Sequence, residues 1–227
     1  MDQGIWVVLL VAALAGAAWW SRYAKKKRRD ELAFVAGQLG LSYAEDDPFD
    51  ILGGPFELLS RGDGQGVENV LWGAYQGLDV RAFDYWYYTE SRNSEGHTSR
   101  SYSRFNAVIV PVAAACSNLT IANENVLTAL ADHVGLRDIG FESEEFNRTF
   151  NVKSPDRKFA NDLIDARMMA WLLAEAQGYA FEVVDEQVLV YRKRLGPAEV
   201  VSLLGTAKAF VDHVPEVVYS LHPGSAG

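Results

Sequence analysis

VENVLWGAYQGLDVRAFDYWYYTE, residues 67–90, decides how this chain folds. Its apolar and polar residues alternate with a period of two, it is rich in aromatic and β-branched side chains, and Gln76-Gly77 interrupts it as a turn, so it predicts an antiparallel hairpin. In the second strand Leu78, Val80, Ala82, Asp84, Trp86 and Tyr88 share one face, and Asp79, Arg81, Phe83, Tyr85 and Tyr87 the other. Moving outward, SRNSEGHTSRS (91–101) is nearly devoid of apolar residues and predicts an exposed loop. YSRFNAVIVPVA (102–113) returns as a third strand whose pairing Pro111 should limit, and NLTIA (118–122) reads as a fourth. On the other side, residues 42–66 carry so many Asp, Pro and Gly residues that they predict turns with one short strand.

Helical periodicity flanks this strand-rich centre. Leu32, Val35, Ala36 and Leu39 fall at i, i+3, i+4 and i+7 before Gly40. NENVLTALADHVG (123–135) predicts a helix capped by Asn125 and ended by Gly135. FNRTFNVKS (146–154) reads as a strand and leads into one long helix over 154–178, with Ser154 as N-cap, Pro155 at the first position and Gly178 as terminator. YAFEVV and QVLVYRK predict a further hairpin about Asp185-Glu186. In the last helix Val200, Leu203, Leu204, Ala207, Phe210, Val211 and Val214 line one stripe before Pro215 stops it. Strands cluster apart from helices, which predicts an α+β fold with a mainly antiparallel sheet packed by C-terminal helices.

Residues 4–20, GIWVVLLVAALAGAAWW, form an uncharged apolar run. As a helix it measures about 25 Å, at the short end of what spans a bilayer. Trp19 and Trp20 mark its end, and Arg22, Lys25, Lys26, Lys27, Arg28 and Arg29 follow at once, the signature of a cytoplasmic flank. A cleaved signal peptide would carry its positive charge before the apolar run, although Ala15-Gly16-Ala17 resembles a cleavage site. A buried core helix would show a polar face. The expected organisation is a short external N-terminus (1–3), a transmembrane helix (4–20), a basic juxtamembrane segment (21–31), a cytoplasmic α+β domain (32–215) and a tail (216–227). The cell membrane is thus the expected location, with the bilayer as first partner and a protein partner at its inner face as the second.

The 227 residues carry a net charge of −9, which hides an asymmetry. Six of the 21 Lys and Arg but three of the 30 Asp and Glu precede residue 32, which leaves 15 basic and 27 acidic side chains, a net of −12, on the body. Such a body repels nucleic acid. The same charges predict a posture in which the basic collar hugs an anionic leaflet and the body is pushed away on its tether.

Catalytic signatures are sparse. GDGQG (62–66) lacks the spacing and the Lys-Ser/Thr of a phosphate loop and reads as a turn, and Arg61-Gly62-Asp63 matches an adhesion tripeptide only formally. His97, His133, His213 and His222 show no metal-ligand spacing, and no cofactor motif occurs, so neither metal nor cofactor is expected. Cys116, the single cysteine, lies in a small apolar run and reads as an inert thiol. Asp84 stands out because it falls on a mainly apolar strand face, where it needs a partner such as Arg81 or Arg104. Phe83, Tyr85 and Tyr87 either fill the core or form a binding surface.

In order along the chain, the anchor with its basic stop, RRDELAFVAGQLGLSYAEDDP (28–48), Gly54-Pro55-Phe56, Glu68-Asn69-Val70-Leu71-Trp72-Gly73, Phe83-Asp84-Tyr85 and FNRTFNVKSPDRKFANDLIDARMMAWLL (146–173) together resemble a bacterial family of small single-pass membrane-anchored proteins of uncharacterised function. The last segment also resembles a bacterial domain of unknown function carrying F-x-V-x-S-x-D, here Phe150, Val152, Ser154 and Asp156. The resemblance implies an anchor and an α+β body and carries no catalytic residue. Two functional readings stay open: a binding or scaffolding module at the inner membrane face, or an enzyme acting on membrane-linked substrates through dispersed carboxylates such as Asp84.

Overall fold

The computed structural model describes residues 2–93, 96–123 and 137–224 and, within residues 2–14, the side chains of Leu9, Ala12 and Ala13 alone. The helix expected over 123–135, with His133, lies outside the described residues. Strands run β1 (Ser42–Ala44), β2 (Gly64–Tyr75), β3 (Leu78–Arg92), β4 (Thr98–Ala122), β5 (Arg137–Asp138), β6 (Asn151–Ser154) and β7 (Ala180–Lys193). Helices are α1 (Asp2–Leu39), α2 (Glu144–Thr149), α3 (Arg157–Leu163), α4 (Ala166–Glu175), α5 (Val200–His213) and α6 (Glu216–Leu221). The fold is α+β, and every strand pairing in its sheet is antiparallel.

The hairpin at 67–90 forms as its alternation dictates, with Gln76 and Gly77 both at positive φ, 49° and 79°, as a tight two-residue turn requires. The third and fourth strands are one: β4 continues through Pro111, which is exposed, and its register shifts near Cys116. The pairs YAFEVV and QVLVYRK are likewise a single strand rather than a hairpin. Asp185 sits at φ 51° opposite Cys116, so a bulge in β7 matches the irregularity in β4 and both halves of β7 pair with the same long strand. β4 therefore pairs with β3 along one edge and β7 along the other, and β6 joins it at Thr120–Ala122.

Two further expectations change. FNRTFN begins with α2, because Ser143 accepts a hydrogen bond from the Phe146 N–H and caps it; only Asn151–Ser154 is strand. The long helix over 154–178 is broken into α3 and α4, since Asp156 and Asp165 each cap a new helix by accepting from the N–H three residues on. The expected tail holds α6.

The pleat sorts side chains into two cores. One face contributes Val80, Ala82, Val108, Val110, Val188 and Val190 to a cluster with α3–α6 and with Leu32 and Ala36 of α1. Within it Trp171, Phe181 and Phe210 pack ring against ring, Phe181 and Phe210 at 4.9 Å. The opposite face contributes Phe83, Tyr85, Tyr87, Phe105, Leu189 and Tyr191, covered by Ile51, Leu58 and Leu59 from two 3₁₀ turns and by Phe56 between them.

α1 is continuous from Asp2 to Leu39, so the apolar run, the basic collar and the short amphipathic helix form one element. Among the described residues no helix is long and apolar enough to cross a membrane.

Candidate functional site

The junction between α1 and the sheet is the most densely organised polar site. Alternation places Asp84 on the helix-covered face of β3, and the Leu32–Ala36 stripe seats α1 against that face, which brings Arg28 over the carboxylate. Arg28 donates from Nη2 to Oδ1 and from Nε to Oδ2 of Asp84, both at 2.7 Å, and from Nη1 to the Leu195 carbonyl at 2.8 Å. Asn106 and Asn69 donate to the same carboxylate at 2.6 and 3.0 Å, and the Arg194 guanidinium lies 3.1 Å away. Around this hub Tyr43 donates to Asn69 Oδ1, and Asn106 Oδ1 accepts from the Leu195 N–H. Burial lowers the Arg194 pKa, opposed by Asp84. Bidentate Arg–carboxylate pairing with this many supporting donors is a geometry that fixes orientation. The partner of Asp84 is thus neither Arg81 nor Arg104. Arg81 points to the other face and lies over Phe49 at 4.7 Å, and Arg104 is exposed over Tyr102.

The hub also divides the basic collar. Arg28 is largely buried, Arg29 pairs with Glu45 at 2.9 Å and Lys27 with Glu31 at 3.8 Å, so half the cluster expected to face lipid is engaged by the protein itself. Arg22, Lys25 and Lys26 stay exposed, as do Trp19 and Trp20, both packed on Tyr23.

A second buried acid was not legible in the sequence. Glu182, in the middle of β7, accepts from the backbone N–H groups of Glu57 (2.7 Å) and Leu58 (3.1 Å) and so pins the 3₁₀ segment onto the sheet. Burial, aided by the neighbouring Glu57 charge, pushes its carboxyl up to about 7, against the two backbone donors and Arg61. Tyr85 donates to the Leu58 carbonyl at 2.7 Å, Glu57 and Arg61 pair alongside, and burial raises the phenols of Tyr85 and Tyr191.

Phe83, Tyr85 and Tyr87 are 2%, 1% and 6% exposed, which removes them as a binding surface: the segment 51–61, too punctuated to read as a lid, covers them. The outward aromatics of the hairpin are instead Trp86, Tyr88 and Tyr102. Cys116 is buried, and desolvation pushes its thiol up to about 12. Among the described residues no three His, Cys, Asp or Glu side chains gather where a metal ion could be held. His213 stacks on Trp171 at 5.0 Å, and His222 packs edge-on to Phe159. Gly62 sits at φ 78°, and Asp63 accepts from the Glu90 N–H, so Arg61-Gly62-Asp63 is a turn bound to β3.

A solved structure is similar in fold. It is that of the mycobacterial trehalose monomycolate transport factor A, TtfA, with a TM-score of 0.60 and 16% identity over 88% of this chain and 97% of that one. At that identity the likeness concerns the fold. No family model and no curated protein matches the sequence.

Proposed function

We propose that this chain is a single-pass membrane protein whose α+β body acts at the inner membrane face as a non-enzymatic binding or scaffolding module, an accessory to transport at the membrane. The apolar run 4–20 would be the span, with the N-terminus outside and the body in the cytoplasm. The run is read from the whole sequence; eight of its 17 side chains lie outside the described residues. Arg22, Lys25 and Lys26 support that orientation because they are exposed on the cytoplasmic flank the reading assigns.

The observation that carries the reading is the Arg28–Asp84 hub. It grips the helix that continues from the apolar run, as a body built to be held in one orientation at its anchor requires. It also weighs against catalysis by Asp84, whose two oxygens are occupied by Arg28, Arg194, Asn69 and Asn106. The shared fold with a protein described as a transport factor supports an accessory role over an enzymatic one.

The test pairs topology with neighbourhood. A reporter enzyme fused after Gly227 should be active on the cytoplasmic side, and proximity labelling from the full chain should enrich integral membrane proteins. Activity confined to the outside would sink the topology, and a labelled set indistinguishable from that of an unanchored reporter would sink the module.

A further inference from the structure

The β3–β4 hairpin projects beyond the rest of the sheet as an arm, because β3 and β4 stay paired out to Arg92 and Thr98. On the face of the arm that continues from Asp84, residues 86–92 and 98–104 present Trp86, Tyr88, Tyr102, Arg92, Arg100 and Arg104, with Glu90 as the one acid. Three arginines against one carboxylate make this face basic on a body that is otherwise strongly acidic. Tyr102 is 47% exposed, Trp86 and Tyr88 are half-buried and stacked, and Arg100 and Arg104 lie over the rings of Tyr88 and Tyr102 at 4.6 and 5.3 Å. β2 provides a flat bed for the rings. Gly64 and Gly66 face Tyr88 and Trp86, and a Cβ there would come within 2.5 and 2.6 Å of the ring atoms.

The direction of the arm is fixed by two contacts of α1. Leu41, just past the end of α1, lies against Gly73, which pairs with Val80, whereas Arg28 grips Asp84. Going towards its N-terminus, α1 therefore advances the same way as β3 does going forward. The arm thus points the same way as the interfacial end of the helix, on the face of the sheet that α1 covers.

We infer that this outer face of the β3–β4 arm docks on the anionic headgroup surface of the membrane that holds α1. The inference rests on the anchored reading above. Trp and Tyr rings favour the headgroup level, and guanidinium groups complement anionic lipid. The body then lies against the leaflet at one fixed edge, in contrast to the tethered, repelled posture that net charge alone predicts.

The experiment uses the full chain with Cys116→Ser in vesicles of equal phosphatidylcholine and phosphatidylglycerol. A fluorophore is placed on Thr98→Cys at the arm, on Ser202→Cys on the exposed side of α5, or on Ala15→Cys in the apolar run, and quenched by lipids spin-labelled at the headgroup or deep in the acyl chain. Expected are headgroup quenching at residue 98, little at residue 202, and acyl-chain quenching at residue 15. Arg100→Gln and Arg104→Gln should each lower the docked-to-undocked ratio about fivefold, as should replacing phosphatidylglycerol by phosphatidylcholine in direction. Equal quenching at 98 and 202 with residue 15 still quenched would overturn docking and leave the anchor standing. Loss of quenching at residue 15 would overturn the anchor and the docking together.

Discussion

Removing the Asp84 carboxylate should cost more than removing the arginine that grips it. Asp84→Ala strips acceptors from Arg28, Arg194, Asn69 and Asn106 at once, and Arg28 is left with the Leu195 carbonyl. Breaking a buried pair in this way costs about 3–5 kcal/mol, because uncompensated charge stays in a poorly solvated place. Arg28→Ala leaves Asp84 with Arg194 at 3.1 Å and with both asparagine amides, so no buried charge is orphaned and the loss is that of Arg28's three hydrogen bonds, about 3 kcal/mol. The double variant should cost less than the sum, with a coupling of about 1–2 kcal/mol between residues 56 positions apart. Urea denaturation of the full chain in detergent gives the four stabilities of the cycle. Hydrogen exchange provides the local view: in Arg28→Ala, amides of the last three turns of α1 should exchange faster, while those of β4 opposite β7 change only by the global amount. If both single variants cost under about 0.5 kcal/mol, or if their effects simply add, the hub does not hold the helix and the orientation argument falls.

Glu182 should make stability fall with rising pH. Its carboxyl titrates at about 7 in the folded protein against 4.5 for an ordinary glutamate. Below the lower value both states are protonated and the full stability is present; between the two the unfolded chain ionises first, so stability drops by about 3 kcal/mol in all and levels off above the folded value. Melting temperatures of wild type and Glu182→Gln across that window test this, and a slope unchanged by the substitution would refute it. Gly62→Ala should destabilise by more than about 1 kcal/mol, since φ 78° is unfavourable for alanine and its Cβ would lie 2.5 Å from the Tyr88 carbonyl; a neutral result in urea would contradict the turn geometry. Asp165→Ala should cost about 1 kcal/mol by uncapping α4, read as earlier loss of helical circular dichroism on heating; no change would mean the cap at Met168 contributes nothing.

Alternation along Leu78–Tyr88 was enough to find the hairpin, to separate the two cores and to mark Asp84 as a residue in need of a partner. Its partner was not legible, because Arg28 reaches it across 56 residues through the docking of α1, a contact that local pattern does not encode. Asp185-Glu186 reads as a turn from composition, yet a positive φ at Asp185 makes a bulge that a continuous strand absorbs. Asp165 inside an apolar-periodic stretch passes for a helix residue until its side chain is seen capping α4. The burial of Phe83, Tyr85 and Tyr87 depends on the segment 51–61, whose two glycines and one proline conceal that Ile51, Phe56, Leu58 and Leu59 all turn the same way.

The central position of β4 also has a consequence during synthesis. β2, β3 and β4 pair with their immediate neighbours and can zip as soon as Ala122 emerges, but β7 begins only at Ala180. At ~5–20 residues per second the ribosome needs several seconds to deliver it, and for that time the edge of β4 around Ala107–Val110 stands open with its apolar side chains on both faces. An unpaired edge of this kind is a template for association with other nascent chains. Slow closure of a distant strand, rather than weakness of the finished sheet, is therefore the step at which this protein is most exposed to aggregation, and crowding at the translation site should lower its yield more than heat lowers its stability.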